Sequence, residues 1–236
     1  MFQFDANWYQ TVWKMEKAML ITQALLKCQR LKNVVFVFLL LHFCFVFGQK
    51  KKVVIDAGHG GIDSGTIGIN DILEKDVVLK VAKEILRLNR TILHNELDVY
   101  LTRYNDSLIS LSDRSRLAKA LKTDVFVSLH CNASQNASRG IEVYVHNSDN
   151  SNTKTSIGLG LSVLNEVYEK LGFEKRGVKF ANFQALRDAF NYPAVLVELG
   201  FMTNTDEADY FSKTDNIKAM ALAILLGITN YSKLEL

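Results

Sequence analysis

Four side chains, far apart along the chain, are of the types that hydrolytic chemistry uses: His59, Glu74, His130 and Glu198. His59 stands in Val53-Val-Ile-Asp-Ala-Gly-His-Gly-Gly-Ile-Asp-Ser-Gly65, where a β-branched run stops at a glycine-rich turn. Glycines on either side let the backbone bend sharply and leave the imidazole open to a neighbour. Such a histidine suits metal ligation or proton transfer, and equally a plain turn in which the ring caps something nearby. Glu74 opens the segment Leu73-Glu-Lys-Asp, a place that a carboxylate favours anyway because of the helix dipole. Two histidines and one carboxylate, with a position left for water, form a recognised catalytic zinc set. Zinc polarises a carbonyl oxygen and brings the pKa of water toward neutrality. A further carboxylate outside that set is then wanted, to take the water's proton and deliver it to a leaving nitrogen. Glu198, in Val195-Leu-Val-Glu-Leu-Gly-Phe at the mouth of an apolar strand, suits that role.

Apolar periodicity shows which elements must position these residues. Strands are expected at Val53–Asp56, Leu97–Thr102, Asp124–His130, Gly140–Val145 and Ala194–Val197. Leu73, Val77, Val81 and Ile85 recur at four-residue steps, which predicts an amphipathic helix over 73–90. Ser110–Leu121 reads as a second helix. Ile157, Leu161, Leu164, Tyr168 and Leu171 mark a third that ends at a capping Gly172, and Ile217 through Ile228 mark the last. This alternation predicts an α/β fold: a single domain over 53–236 with a mostly parallel twisted sheet and helices on both faces. Ligand sites in such sheets gather at the carboxyl ends of strands. His59, His130 and Glu198 each fall at one, although strand ends are also simply where polar residues begin.

The 236 residues fit one medium domain and a short appendage. Residues 34–48 are apolar except for His42, with Lys27, Arg30 and Lys32 before them and three lysines after. About 15 residues is short for a spanning helix and right for the core of a secretory signal. Residues 1–48 therefore read as a hydrophobic leader cleaved near Gly48, with Met15 or Met19 as alternative starts and an uncleaved anchor as the other reading. The destination is then the periplasm or cell envelope, with membrane contact only through an uncleaved leader. The leader carries five of the 28 basic and two of the 25 acidic residues, so the remainder is close to neutral and lacks the footprint of a nucleic-acid binder. Cys131 alone remains after cleavage, and one cysteine cannot close an internal disulfide.

Seven segments, in order, carry a resemblance. They are Ile55-Asp-Ala-Gly-His-Gly-Gly-Ile-Asp-Ser-Gly, Glu74-Lys-Asp, Leu101-Thr-Arg, Leu111-Ser-Asp-Arg, Val127-Ser-Leu-His-Cys-Asn-Ala, Gly140-Ile-Glu-Val-Tyr and Pro193-Ala-Val-Leu-Val-Glu-Leu-Gly-Phe-Met-Thr-Asn. Residues 53–236 resemble the zinc-dependent N-acetylmuramoyl-L-alanine amidases of bacterial cell walls, the type-3 amidase family. The resemblance implies Zn2+ held by His59, Glu74 and His130, with Glu198 as general base and acid. It implies peptidoglycan as substrate, cut at the amide between N-acetylmuramic acid and L-alanine. Two positions depart from the family pattern: Lys119 replaces an asparagine, and Cys131 replaces a small apolar residue. Strand alternation turns Cys131 away from a ligand at 130. The stretch from Val145 to Lys175 is short and holds one helix, where relatives regulated by a partner protein carry a plugging insertion. A protein activator remains open.

Other polar residues receive lesser roles. Asp56 either orients an imidazole or stabilises a turn. Glu142 reads as a solvated or supporting residue, Arg187 as a surface arginine, and Lys50–Lys52 as a solvated run. Two further functions compete: another zinc peptide hydrolase, such as a carboxypeptidase, and a wall-binding or anchored module without activity.

Overall fold

The computed structural model describes residues 6–47, 50–136, 138–147, 151–189 and 191–234, and the chain divides into two units, 1–49 and 50–236. In the first, Ala6–Phe47 is one continuous helix, α1. Its residues Val34 to Leu40 are 48–68% exposed. Seven consecutive apolar residues at 100° intervals point every way round a helix, so none of its faces is polar there. Among the described residues, no helix is long and apolar enough to cross a membrane. The expected cleavage point at Gly48 lies outside the described residues.

The second unit is built on strand alternation. Its elements are β1 (Lys52–Ala57), α2 (Glu74–Thr91), β2 (Asp98–Leu101), α3 (Leu111–Leu121), β3 (Val125–Asn132), β4 (Ile141–Val145), α4 (Ser151–Leu171), β5 (Lys175–Phe180), α5 (Gln184–Arg187), β6 (Ala194–Phe201), α6 (Thr205–Phe211) and α7 (Thr214–Leu234). The six strands form one sheet in the order β2-β1-β3-β6-β4-β5. The first four run parallel, β4 is antiparallel to β6, and β5 is parallel to β4. Mostly parallel pairing is as the periodicity predicts. The reversed edge is not written in it, because alternation records which face a side chain takes and not which way the strand runs.

Residue parity sorts the two faces. Val53, Ile55, Val125, Val127, Leu129, Val143, Val195 and Val197 enter the larger core with α2, α4 and α7. Val54, Phe126, Ala194 and Leu196 face the other way, into a smaller cluster with Ala118 of α3 and Ala185 and Leu186 of α5. Polar residues of the same parity as this second set are those left for a site. Gly172 ends α4 in the left-handed conformation, as expected, with its N–H on the Tyr168 carbonyl.

Three elements escape the sequence pattern. β5, Lys-Arg-Gly-Val-Lys-Phe, is a half-buried edge strand without apolar alternation, and α5 and α6 span only four and seven residues. β3 and β6 also continue past their expected ends, to Asn132 and Phe201. His130 and Glu198 therefore lie within paired strands, directly opposite each other in register, rather than beyond strand ends.

The contact between α4 and α7 depends on a missing side chain. A Cβ at Gly227 would come within 2.7 Å of the Val163 Cα, which is backbone and cannot swing aside, whereas one at Gly158 would meet only Tyr231 at 3.6 Å. Alanine favours a helix over glycine by about 1 kcal/mol, and forced overpacking costs about 1–3 kcal/mol. Gly158→Ala is thus expected to raise the urea midpoint and Gly227→Ala to lower it. A Gly227→Ala chain as stable as the parent would mean that the helices separate freely.

Candidate active site

The site begins with the turn after β1. His59 has φ 56°, and Gly60, Gly61 and Gly65 also take positive φ, so the chain reverses tightly around the imidazole. Two glycines are needed for what approaches them. A Cβ at Gly58 would sit 2.5 Å from the His130 ring, and one at Gly65 would sit 2.5 Å from Glu74 Oε2 and 2.6 Å from His59. The rings and carboxylate thus close over bare backbone.

Glu74 is the first residue of α2 and only 2% exposed. Its Oε1 lies 3.0 Å from His59 Nε2 and 3.0 Å from His130 Nδ1, and the two ring nitrogens are 3.2 Å apart. Thr66 N–H donates to Oε2 at 2.7 Å and Cys131 N–H to Oε1 at 2.9 Å. Burial alone would raise the Glu74 pKa, but the hydrogen bonds from His130 and His59 outweigh it and hold the carboxyl far below its usual range. The same bond, opposed by burial and helped by Asp63, pushes His59 up to about 9. Donors around a tetrahedral ion at zinc–ligand distances of about 2.0–2.1 Å would be spaced about 3.3 Å apart. The three ligand atoms all lie within 4.8 Å of one another, and their measured spacings are close to that figure, so the donor set fits a metal ion.

Glu198 is not one of these three donors. It shares the His130 register position on the neighbouring strand. Its buried Oε2 has no hydrogen-bond partner among the described residues. Burial pushes its pKa up to about 7; His130 pulls it down, and the charges of Glu74 and Glu142 add to the rise. A cavity of about 620 Å³ opens beside it, lined by His59, Asp63, His130 and Glu198 together with Leu108, Leu111 and Phe183.

The neighbouring polar residues fall partly as expected and partly not. Asp56 touches neither imidazole. It is 1% exposed and accepts from Thr102 and Ser128 hydroxyls and from Arg114 Nη1, all at 2.7 Å. The partner of His59 is Asp63, whose Oδ2 is 2.8 Å from Nδ1. Asp63 lies four residues on, in the same glycine-rich turn, and that local spacing could have found it. Arg114 carries the hold of Asp56 to the turn by donating to the Ala57 and His59 carbonyls at 2.7 and 2.8 Å. Arg103 does the same for Ala57 and Gly58. Glu142 is not solvated. It is 2% exposed and bound by Arg176, Lys179 and Tyr144. Cys131 turns into the core, where burial raises its thiol pKa well above the ordinary value. Arg187 is an exposed surface arginine bonded to Asn182.

A mostly parallel α/β sheet presenting a His–Glu–His cluster beside an unpaired carboxylate defines a hydrolase scaffold equipped for metal-assisted chemistry. The N-acetylmuramoyl-L-alanine amidase family matches residues 53–230, and the chain belongs to that family. It is 38% identical over 191 residues to an endolysin of Bacillus phage SPP1, covering 79% of this chain and 68% of that protein. The catalytic domain of CwlV, an N-acetylmuramoyl-L-alanine amidase from Bacillus (Paenibacillus) polymyxa var. colistinus, superposes with a TM-score of 0.70 at 34% identity, over 78% of this chain and 98% of that one. The CwlD amidase of Clostridioides difficile, solved in complex with the GerS lipoprotein, gives a TM-score of 0.71 at 26% identity, over 78% and 100% of the two chains.

The coupling of His59 to Glu74 carries a signed pH dependence in metal-free protein. The folded-state pKa of His59 lies above its ordinary 6.5, so its contribution is complete below pH 6.5 and is lost as pH rises through about 9. Urea unfolding of chelator-treated protein should show the advantage of the parent over His59→Gln shrinking across that window. An advantage independent of pH would mean that the pair is not coupled.

Proposed function

We propose that this member of the amidase family works as a zinc-dependent hydrolase, with His59, Glu74 and His130 holding the ion and Glu198 moving the proton. The family's activity is hydrolysis of the amide between N-acetylmuramic acid and L-alanine in peptidoglycan. Water adds to the lactyl carbonyl carbon, the carbon–nitrogen bond breaks, and the products are a carboxylate and the free amine of L-alanine. When bound, Zn2+ would polarise that carbonyl and acidify the attacking water.

This chain's own residues supply the rest. Asp63 fixes the His59 ring through Nδ1, leaving Nε2 to face Glu74 and His130. Glu198 accepts the proton of water and passes it to the departing nitrogen, so the carboxyl ends the cycle as it began. The observation that carries this reading is its Oε2, buried, without a hydrogen-bond partner among the described residues, and across the register from His130. An acid whose pKa is pushed up to about 7 is poised to give and take a proton near neutrality.

Chelation is expected to abolish release of stem peptides from purified walls, and added Zn2+ to restore it. Glu198→Gln should lower kcat by about 100- to 10,000-fold with metal content unchanged. Loss of metal in that variant would instead make Glu198 a ligand. Product masses should show intact glycan and peptides beginning with alanine, whereas a carboxypeptidase would shorten the peptide from its other end.

A wall substrate places the action outside the cytoplasm. Residues 1–48 would serve as the export leader and 53–236 as the catalytic domain, with the mature protein in the periplasm or cell envelope. The basic residues before Val34 and the apolar stretch after it support that division. Amino-terminal sequencing of exported protein should find a start near residue 49, and an intact leader would make α1 an anchor. CwlD is known with a lipoprotein partner. A protein activator for this chain rests on that comparison.

A further inference from the structure

β5 carries three cations and no acid in six residues: Lys175, Arg176 and Lys179. In a regular strand, residues three apart point to opposite faces. Here they do not. Ile141 of β4 pairs with Lys175 and Val143 with Val178, so two steps on β4 match three on β5. The extra residue falls where Gly177 takes φ 90°. A bulge of this kind re-aims side chains, and bulges are common beside active sites. Its effect is that Arg176 Nε reaches Glu142 Oε1 at 2.5 Å while Lys179 Nζ reaches Oε2 at 2.8 Å, where the Tyr144 hydroxyl also donates at 2.7 Å.

Glu142 is the antiparallel partner of Glu198, so this cluster lies one strand away from the proposed proton carrier and on the same face of the sheet. The Glu142 carboxylate itself is met by two cations, Arg176 and Lys179. The Arg176 and Lys179 side chains remain 30% and 39% exposed, so both can meet a ligand. Arg176 is further fixed over the Phe201 ring, 5.0 Å from its centre. We infer that Arg176 and Lys179 form a subsite for a carboxylate in the stem peptide beyond the L-alanine, and so determine which peptides are cleaved. Two strand spacings separate Lys179 from Glu198, about 10 Å. An extended peptide covers that in about three residues.

The inference rests on the amidase reading, and the test separates the two. The probes are an N-acetylmuramoyl tripeptide that begins with L-alanine and ends in a free carboxylate, and the same compound with its carboxylates amidated. Hydrogen bonds to charged groups are worth enough to change affinity about 10-fold. Lys179→Met should raise KM for the carboxylate probe by about that factor relative to the amidated probe, with any change in kcat common to both. Lys179→Arg should restore the discrimination. Equal shifts for both probes would make the cluster structural, and no shift for either would exclude the subsite. Calorimetric binding of both probes to the full Glu198→Gln chain repeats the comparison without turnover. Preference for the carboxylate without cleavage would overturn the amidase reading alone, and equal affinities would overturn the subsite alone.

Discussion

One buried carboxylate joins three otherwise separate parts of the molecule. Glu74 sits at the amino-terminal end of α2, accepts from the backbone at Thr66 and Cys131, and faces two imidazoles through a single oxygen. An ionised carboxylate at 2% exposure is expensive unless its lone pairs are met. Here the loop after β1 contributes His59 and Thr66 as partners, and strand β3 contributes His130 and Cys131. The turn around His59 must therefore keep its left-handed backbone, and Gly58 and Gly65 must stay bare. The donor geometry that a metal ion requires is the same geometry that satisfies the carboxylate without one.

A second buried charge pair supports the first from below. Asp56 and Arg114 are 1% and 3% exposed, and the guanidinium also donates to the Ala57 and His59 carbonyls of the turn and to the Ile109 carbonyl. A buried pair of this sort is weak as a source of stability, because desolvation offsets most of its attraction. Its consequence is positional: it fixes where the backbone of residues 57–59 lies. Arg103 reaches the Ala57 and Gly58 carbonyls from the loop after β2. Two arginines from distant segments thus hold a turn whose own sequence, rich in glycine, would otherwise be loose.

Electrostatic asymmetry then divides the labour among three glutamates on neighbouring elements. Glu74 is surrounded by donors and stays ionised. Glu142 would be raised by burial, but Lys179, Tyr144 and Arg176 hold it low. Glu198, paired across from Glu142, has an oxygen with no hydrogen-bond partner among the described residues, and burial raises its pKa. Environments that push like groups apart in pKa are how one site supports both ligation and proton transfer.

Much of this was legible in the amino-acid order. The two-residue alternation of β1, β3 and β6 and the four-residue steps of α2 depend on neighbours a few positions apart, so they read directly as a parallel α/β fold with polar residues on one face. His59, Glu74, His130 and Glu198 stood out because each interrupts or opens such a pattern. The edge strand β5 did not, since its lysines and arginine follow no alternation, and the reversal of β4 leaves no mark on hydrophobicity. Nor could the chain order tell that Arg114 and Arg103 cross to the turn from 55 and 46 positions away. Local periodicity is set by covalent geometry and is carried by the sequence alone. Which distant side chains meet is decided only when the sheet closes and buried polar groups must each find a partner.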